Sequence, residues 1–544
     1  MKDFYTADFE TCYNEATDSA RVWLSCLMDK DGGYVINDNI GGFIADVMAE
    51  SEKSKNKKIV IYFHNLKYDA MFLIPALISG GYSFNSLISH EKVFYSIRIC
   101  SGGKVIEIRD SLKKIPFKLR EFSKCFGLEE EKGAIDYNTY RPEGYKATEK
   151  EEEYIIGDCD ILRRGLMLMY EQGYTSSTIG ADCFKYFLKL SGGEKKFRHI
   201  YPELSEAEDT FLRNAYRGGY CYLNPEYKGK TVKGCTFDIN SMYPSILVDY
   251  ALPFGEGEYG EGKPEGGLWV AKVEASFSLK PGKLPTIPAR SFFNTEYMKD
   301  SGGELVELYI SNYDYELMLE HYDIDEINWS SYYKYRAFHN NKLRQYVEIF
   351  QEMKQKAARE GNEGQRTIAK LFSNNLIGKF GTNPKRKNAN PVGFDAFGIV
   401  WGDEQASDVK TVYLPLALFV NSIGRYKIIK DSQRAYTAGH FIYCDTDSIH
   451  VTEGFDASGL NVDRYRLGYY KLEEEFTEGK YVKLKTYIHN VNGQLKLKCS
   501  GLSDTLTEIK SVEEFNESLE VEELRQRSCL NGCYLANIRR VICV

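Results

Sequence analysis

Apolar and polar positions divide the first part of the chain into strands followed by a helix. Three short runs rich in aromatic and β-branched residues lie at 3–10, 19–27 and 57–65. Such runs are typical of strands. From 148 to 172 the apolar positions recur at helical spacing, and Thr148 with Glu151 fits a capping box at the start. The pattern predicts an α/β unit that this helix closes.

Strand and helix signals continue through the rest of the chain. Strands are predicted within 233–247 and 251–305, and a hairpin at 440–451, where two apolar arms flank Asp-Thr-Asp. Helices are predicted at 313–322, 341–360 and 363–381, and a turn-rich loop at 383–393. Near the end, SLEVEELRQ (518–526) predicts a helix and YLANIRRVICV (534–544) a strand.

Composition narrows the class of protein. The chain has 544 residues, 43% of them apolar and 27% charged, which favours several folded domains and excludes a disordered or fibrous protein. The net charge of −8 argues against a general nucleic-acid coat, so any such contact needs local basic stretches. The start lacks a signal-peptide pattern, and the apolar stretch 412–420 is far shorter than the ~20 residues of a membrane span. We expect a soluble, intracellular protein that does not bind membranes.

Four carboxylates and a phenol form the first candidate site. Asp8 and Glu10 are separated by one residue, so both point to the same face of a strand. Asp69 and Asp158 add two acids, and Tyr154 lies one helical turn before Asp158. This set suits two Mg²⁺ or Mn²⁺ ions that activate water for phosphodiester hydrolysis. The Asp-Phe-Glu pattern alone would indicate only a solvated strand.

Residues around Asp69 are suited to nucleic acid. His64, Asn65 and Phe72 offer an imidazole, an amide and a stacking ring, which together could hold a single-stranded end. Taken singly, His64 is more typical of a loop histidine and Phe72 of a core residue.

Three further aspartates form a second candidate metal site. Asp238 ends an apolar strand, and Asp445 and Asp447 share one face of the predicted hairpin. Tyr243 follows Asp238 by five residues, where its ring could lie beneath an incoming sugar and exclude a 2′-hydroxyl. Core packing is the alternative for Tyr243.

Basic residues complete this second constellation. Arg366 and Lys370 are four residues apart on one helix face and could hold a triphosphate, although without the carboxylates a solvated basic face would be preferred. The stretch 479–498 has five lysines, two tyrosines and no acid, which indicates a nucleic-acid track. YRGGY (216–220) adds a Gly-Gly turn that lets the backbone approach a phosphate, although this signal is weak alone.

Together these motifs resemble those of protein-primed family B DNA polymerases over nearly the whole chain. DFE, HNLKYDAMF and YIIGD are similar to the three exonuclease motifs, and Lys132 falls where the group has a catalytic lysine. The resemblance implies metal binding by Asp8, Glu10, Asp69 and Asp158, catalytic assistance by Tyr154 and Lys132, and DNA binding by His64, Asn65 and Phe72. YRGG resembles the linker motif that couples synthesis to editing, through Tyr216, Arg217, Gly218 and Gly219.

The polymerase motifs follow in the family's order. They are DINSMYPSI (238–246), KLFSNNLIGKFG (370–381), YCDTDSIH (443–450) and KTY (485–487). The resemblance implies that Asp238 and Asp447 hold metals with Asp445 assisting, that Tyr243, Arg366, Lys370 and Ile377 contact the nucleotide, and that Lys485, Tyr487 and Lys498 contact the primer. Ile377 stands where the family usually has a tyrosine. We hypothesise altered base-pair checking or nucleotide affinity there.

The resemblance also implies a multidomain α/β and α+β fold. An RNase H-like 3′–5′ exonuclease domain would precede a right-hand polymerase domain with two insertions. The implied units are 1–176 exonuclease, 177–250 first part of the palm, 251–345 first insertion, 346–382 fingers, 383–412 second insertion, 413–503 second part of the palm and 504–544 thumb.

The implied activity is DNA-directed DNA synthesis with 3′–5′ proofreading and two Mg²⁺ or Mn²⁺ ions per active site. Synthesis would start on a terminal protein, displace the non-template strand and replicate a linear genome, as in phages. The implied partners are template-primer DNA, dNTPs and the terminal protein, bound by a monomer or in a heterodimer with that protein. Alternatives are a mobile-element polymerase that uses nucleic-acid primers or none, a DNA-binding exonuclease, and a non-catalytic DNA binder.

Overall fold

The computed structural model describes residues 3–55, 58–119, 121, 135–136, 139–289, 296–408, 412–500 and 509–542. Lys132 lies outside these residues, as does part of the unit expected from 504 onward. Two seven-stranded sheets organise the described part of the chain. None of its described helices is long and apolar enough to cross a membrane.

The first sheet is built from the start of the chain. Its strands are β1 (Tyr5–Asn14), β2 (Ser19–Asp29), β3 (Tyr34–Asn37), β4 (Lys58–Phe63), β5 (Phe84–Ile88), β6 (Phe94–Ser101) and β7 (Lys104–Asp110). Their order is β3-β2-β1-β4-β7-β6-β5, and β4 pairs with β1 and β7 in parallel while the other neighbours are antiparallel. Parallel strands need crossover connections, which α1 (Ile40–Lys53) and α2 (Leu66–Ser79) help to provide.

A long helix closes this unit as predicted. It is α3 (Glu149–Glu171), and the reciprocal bonds of Thr148 and Glu151 form the expected capping box. One face of α3 is buried, and it brings Tyr154 and Asp158 against β1.

The second sheet comes from the later part of the chain. Its strands are β8 (Cys221–Leu223), β9 (Thr231–Ile239), β18 (Phe441–Asp445), β19 (Ser448–Thr452), β20 (Tyr470–Lys483), β21 (Thr486–Val491) and β22 (Gln494–Cys499). They are antiparallel in the order β22-β21-β20-β9-β19-β18-β8, so the β18–β19 hairpin lies next to β9. This sheet therefore places the predicted Asp-Thr-Asp hairpin beside Asp238.

Helices pack around the second sheet. They are α4 (Ile179–Leu190), α5 (Glu194–Ile200), α6 (Glu206–Ala215), α7 (Met242–Asp249), α8 (Asn312–His321), α9 (Asn341–Arg359), α10 (Glu363–Phe380) and α11 (Leu414–Thr437). Most of α11 is buried, and it packs against β18, β19 and α7. The helices α9 and α10 are neighbours, with Phe350 and Phe372 stacked 4.7 Å apart. The predictions at 313–322, 341–360 and 363–381 are confirmed.

A separate small sheet occupies the region expected to be the first insertion. Its strands are β10 (Leu252–Glu261), β11 (Leu268–Leu279), β14 (Val306–Ser311) and β15 (Tyr322–Phe338), in the order β10-β15-β11-β14, beside the short pair β12 (Ile287–Pro288) and β13 (Tyr297–Met298). Trp269, Val273 and Phe277 are buried on β11 and form a core with Leu308 of β14 and Met318 of α8. The region thus has a hydrophobic core of its own.

Two β-hairpins pack on the first sheet, and both correct a prediction. The expected loop at 383–393 is part of β16 (Lys385–Asp395), which pairs with β17 (Gly398–Asp408), and the expected helix at 518–526 is part of β23 (Glu520–Cys529), which pairs with β24 (Gly532–Val541). The strand predicted at 534–544 is confirmed over Tyr534–Val541 by β24. Local propensity failed in both places because each hairpin is stabilised by packing on the first sheet, which comes from a distant part of the sequence.

Candidate active sites

The first carboxylate centre lies where β1, α2 and α3 meet. Asp8 and Glu10 extend from the same face of β1, as predicted, and Asp69 lies in the first turn of α2. Asn65 precedes this helix in a left-handed conformation, with φ of 71°. Asp158 and Tyr154 share the buried face of α3. The fold therefore brings these predicted residues together from three distant segments.

The acidic side chains at this centre are close enough to repel one another. Burial raises the pKa of Asp69 well above its usual range, and the negative charges of Asp8, Asp110 and Glu10 raise it further. Hard oxygen donors that repel one another in this way suit a divalent cation. Within the described residues no three His, Cys, Asp or Glu side chains already have metal-binding geometry.

A cavity of about 440 Å³ opens onto two acids of this centre, Asp8 and Asp158. It is lined by Ala7, Asp8, His64, Asn65, Leu112, Lys118, Leu119, Asp158 and Leu162. Lys118 brings an amine into this cavity, and no motif in the sequence indicated it. Lys132, the residue predicted to be the catalytic lysine, lies outside the described residues.

The residues predicted to hold a single-stranded end differ in their surroundings. His64 at the cavity lies 2.9 Å from Ser111 Oγ through Nδ1 and 2.8 Å from the Phe117 carbonyl through Nε2. Phe72 is only 3% exposed and packs against Gly532 of β24 so closely that a side chain at Gly532 would collide with its ring. In this conformation the hairpin β23–β24 covers Phe72.

The second carboxylate centre lies at the β18–β19 hairpin. Asp238 of β9 is paired in register with Ser448 of β19, directly after the hairpin turn that contains Asp447. The Ile239 amide donates to the Asp447 carbonyl at 2.8 Å, and Thr446 has a left-handed φ of 58° in the turn. Asp445 ends β18. The three predicted aspartates therefore face one cavity of about 740 Å³.

Several acidic side chains lie close together in this cavity. Burial and the neighbouring charges of Asp238 and Asp445 raise the pKa of Asp447 to about 7. Glu473 adds a fourth acid, and its pKa is raised by burial and by Asp238. Such a donor set again suits a divalent cation.

Two lysines contact the aspartates of the second centre. Lys485, predicted from the Lys-Thr-Tyr motif, lies 2.9 and 3.1 Å from the two carboxylate oxygens of Asp445. Lys471 lies 3.1 Å from Asp238 Oδ1 and was not predicted. Their charges partly offset the negative charge of the centre.

The predicted nucleotide-binding residues lie on α7 and α10. Tyr243 of α7 is half-buried near Gly424, and burial raises its pKa to about 12. Lys370 of α10 is exposed, and Arg366 forms an exposed ion pair with Glu363 at 3.1 Å. Ile377 is buried at 5% exposure within the core of this helix.

Lys354 of α9 joins these cations. Burial lowers its pKa, and the charges of Lys370, Lys471 and Arg366 lower it further while Asp238 opposes them. The positive charges of three elements are thus coupled to one another, and Lys471 among them contacts Asp238 directly. The sequence contained no local signal for this, because Lys354 is one of several lysines on its helix.

The predicted primer contacts lie on a wall of the same cavity. Tyr487 of β21 is paired in register with Lys498 of β22, and both line the cavity. Tyr487 packs against His450 and His489 with ring centroids 5.1 and 4.8 Å apart.

A chain of hydrogen bonds supports these rings. Glu474 Oε1 accepts from His489 Nδ1 at 2.6 Å, and the Tyr481 hydroxyl lies 2.8 Å from His489 Nε2 and 2.9 Å from His450 Nδ1. Lys496 donates to the second carboxylate oxygen of Glu474 at 2.8 Å. The wall that carries Tyr487 is therefore rigidly held.

The Tyr-Arg-Gly-Gly segment lies against both the hairpin turn and α10. A side chain at Gly219 would collide with Thr446, and Tyr216 packs closely on Gly381. The Arg217 side chain donates to the Tyr309 carbonyl of β14 at 3.2 Å, and burial lowers its pKa. The Tyr-Arg-Gly-Gly segment, which includes Gly218, therefore contacts both the second centre and the small sheet.

Comparison with known proteins agrees with this architecture. A family model described as "DNA polymerase type B, organellar and viral" matches residues 50–142 and 131–460. The DNA polymerase of Bacillus phage M2 is 35% identical, covering 93% of each chain, and that of Bacillus phage phi29 is 34% identical, covering 94% of each chain. The solved phi29 DNA polymerase complexed with primer-template DNA and incoming nucleotide substrates is 32% identical, covers all of both chains and has a TM-score of 0.90.

These matches confirm the predicted fold class, an exonuclease-type domain followed by a right-hand polymerase domain. They also confirm the predicted enzyme class, and DNA polymerases in general use divalent metal ions, which the two oxygen-rich centres suit. This chain is a phi29-like DNA polymerase and belongs to the type B DNA polymerases of organelles and viruses.

Proposed function

We propose that this polymerase synthesises DNA at the Asp238 centre and removes mispaired 3′ ends at the Asp8 centre. The observation that carries the proposal is that one chain holds two separate carboxylate centres, each in its own cavity. Near the Asp238 centre the charges of Lys370, Lys471 and Arg366 act together on Lys354, and such a cationic group suits a triphosphate. The other centre lies beside His64 and Asn65, which suit a single-stranded end.

At the Asp238 centre, the chain's own groups position the reactants. Two Mg²⁺ or Mn²⁺ ions held by Asp238 and Asp447, with Asp445 assisting, would activate the primer hydroxyl and neutralise the leaving pyrophosphate. Arg366 and Lys370 hold the triphosphate through charge. Tyr243 lies beneath the sugar, and Ile377 alters nucleotide affinity or base-pair checking.

The primer strand follows the wall of the same cavity. Lys485, Tyr487 and Lys498 hold its end, because amines bind phosphates and a ring can stack on a base or sugar. The segment Tyr216, Arg217, Gly218 and Gly219 contacts DNA where it passes between the two centres.

At the Asp8 centre, Glu10, Asp69 and Asp158 complete the donor set for two ions that activate water. The Tyr154 hydroxyl and Lys132 orient the water and the scissile phosphate. His64, Asn65 and Phe72 hold the 3′ end, although Phe72 is covered by the hairpin β23–β24 in this structure.

The two insertions define how synthesis starts and proceeds. We assign 1–176 to the exonuclease, 177–250 and 413–503 to the palm, 251–345 and 383–412 to the insertions, 346–382 to the fingers and 504–544 to the thumb. The first insertion binds a terminal protein whose hydroxyl is the first primer, and its independent core supports this assignment. The second insertion encloses the template and displaces the other strand of a linear phage-type genome.

A polymerase that uses nucleic-acid primers is the second candidate. Such a polymerase needs the same two carboxylate centres. It would differ from a protein-primed polymerase only in the role of residues 251–345. The insertion's own sheet and core favour a binding role for this region over a simple loop.

The test compares Asp8→Ala, Tyr154→Phe and Asp447→Ala in two assays. We expect Asp8→Ala to lose degradation of single-stranded DNA by at least about 100-fold, a loss typical of removing a catalytic group, while keeping dNTP incorporation. Asp447→Ala should lose dNTP incorporation while keeping degradation of single-stranded DNA. Tyr154→Phe should slow degradation alone, and an unchanged rate would remove Tyr154 from the mechanism. Loss of both activities in each aspartate variant would contradict two separate centres.

A further inference from the structure

Lys471 is the residue whose position the motifs do not explain. It lies on β20 directly opposite Asp238 of β9 in the strand register, so both side chains extend from the same face of the sheet. Its Nζ is 3.1 Å from Asp238 Oδ1 and 3.8 Å from Glu473 Oε1. The Lys471 side chain is 33% exposed and that of Asp238 is 21% exposed, so this ion pair is partly shielded from water.

The charge of Lys471 is secured by its neighbours. A lysine amine is ordinarily protonated well above neutral pH, and two carboxylate oxygens lie within 3.1 and 3.8 Å of the Lys471 amine. Lys471 therefore stays protonated throughout the neutral pH range. Its amine is a fixed positive charge at the carboxylate that we propose to hold metal.

Lys471 also belongs to the cationic side of the centre. Its charge, with those of Lys370 and Arg366, depresses the pKa of Lys354. These four side chains come from α9, α10 and β20, and α9 and α10 are packed together. Lys471 thus contacts the acidic group that suits a metal and is coupled through its charge to the basic group that suits a triphosphate.

Lys485, which lines the cavity beside Asp445, differs from Lys471 in how it is held. Lys485 binds both carboxylate oxygens of Asp445, and its backbone amide donates to the Tyr443 hydroxyl at 3.1 Å, which fixes its left-handed turn. Lys471 instead contacts one oxygen of Asp238 from a regular strand. Its long side chain can reach another acceptor by rotation about its own bonds.

We propose that Lys471 is a nucleotide-binding residue that neutralises Asp238 before the metal and nucleotide enter, and then transfers its hydrogen bond to the triphosphate. This inference rests on the proposed metal-binding role of Asp238. No proton moves and no covalent bond changes, because the amine remains charged and only exchanges one anionic oxygen for another. Lys471 thereby competes with a metal ion for Asp238 and strengthens binding of the nucleotide that enters with that ion.

The proposal predicts opposite effects on two ligands. In Lys471→Ala, Mn²⁺ alone should bind more tightly, by about threefold to tenfold, because a competing positive charge is gone. The KM for dNTP should rise about tenfold or more with kcat changed far less, because a charge-assisted hydrogen bond to the nucleotide is lost. Lys471→Arg should restore most of the nucleotide affinity.

Mn²⁺ binding is measured by electron paramagnetic resonance of the free ion, without DNA or nucleotide, in an Asp8→Ala background that removes the other centre. Nucleotide KM and kcat are measured by single-nucleotide addition to a primer-template. Lys233→Ala is the matched control, because Lys233 on β9 forms an exposed ion pair with Glu453 outside the cavity. This control should leave both measurements unchanged.

Two results would overturn the inference. One is unchanged Mn²⁺ binding and unchanged KM in Lys471→Ala. The other is weakened binding of both ligands together with a lowered melting temperature, which would show a purely structural role. Asp238→Asn separates this outcome from failure of the proposed function, because full incorporation by that variant would exclude Asp238 as a metal ligand whatever Lys471 does.

Discussion

Asp447 combines burial with two acidic neighbours, and this combination affects how the Asp238 centre, which we propose to be the site of DNA synthesis, responds to pH. Its carboxyl group has a pKa of about 7 because ionisation would add a charge beside Asp238 and Asp445 in a partly buried cavity. Below that pH a proton occupies a position that a metal needs. Proton and cation therefore compete for the same group.

This competition predicts a pH dependence that changes with metal concentration. At subsaturating Mg²⁺ the rate of dNTP incorporation should fall as the pH decreases below about 7, approaching tenfold per pH unit for loss of one carboxylate. Raising Mg²⁺ should shift the midpoint to lower pH. The measurement is single-nucleotide addition from pH 6 to 8 at several Mg²⁺ concentrations, and a midpoint that does not move with Mg²⁺ would contradict the assignment.

The sequence alone indicated the candidate site residues that belong to recognisable motifs. It did not indicate those whose position depends on strand register or on helix packing. Asp238, Asp445 and Asp447 follow apolar strands, so their position at strand ends could be predicted. Lys471 depends on the register between β9 and β20, which includes shifts after Leu472 and Phe476. No local pattern reveals such a register, and Lys354 is positioned only by the packing of two helices.

The hairpin β16–β17 forms most of the segment that we propose to be the second insertion, and it contacts the first sheet. The Lys387 carbonyl accepts from the His90 amide at 2.9 Å, and the Lys92 amine lies 3.7 Å from the centre of the Trp401 ring. Gly398 at the turn, with φ of 106°, packs against Ser528 of β23. The hairpin thus contacts both the first sheet and the other hairpin.

Loosening this contact should impair strand displacement selectively. Trp401→Ala removes the cation–π contact with Lys92 and the ring contact with Phe94, which together are worth about 1 kcal/mol or more. We expect synthesis through duplex DNA to fall about fivefold while extension on an open template stays within twofold. Val392→Ala, an exposed position on β16, is the control. Equal loss on both templates would contradict this role.

The wrong predictions at 383–393 and 518–526 have the same physical origin. The first segment is rich in turn formers and the second in helix formers, yet both are strands of hairpins that bury residues against the first sheet. Ala389 and Ile399 are buried on β16 and β17, and Cys529 and Cys533 flank the turn after β23. Contacts across hundreds of residues outweighed local preference, whereas α3 agreed with its capping box because its signals are local.

The two carboxylate centres lie in different cavities, and several contacts join the parts of the chain that hold them. The buried amine of Lys114, directly after the first sheet, pairs with Asp182 of α4, and the stacked rings of Tyr13 and Tyr534 join β1 to β24. Hairpins from two distant segments pack on the first sheet. These contacts hold the parts of the chain that carry the two carboxylate centres against one another.

Extension of a primer on a single-stranded circle, with Mg²⁺ and dNTPs, tests this account most directly. The unmodified enzyme and Asp8→Ala should make products much longer than one circle, because synthesis displaces the strand ahead of it and does not need the editing centre. Asp447→Ala should make none. Synthesis that stops at the 5′ end of the primer would contradict strand displacement by this chain, and degradation of the primer without any extension would contradict the account of the Asp238 centre.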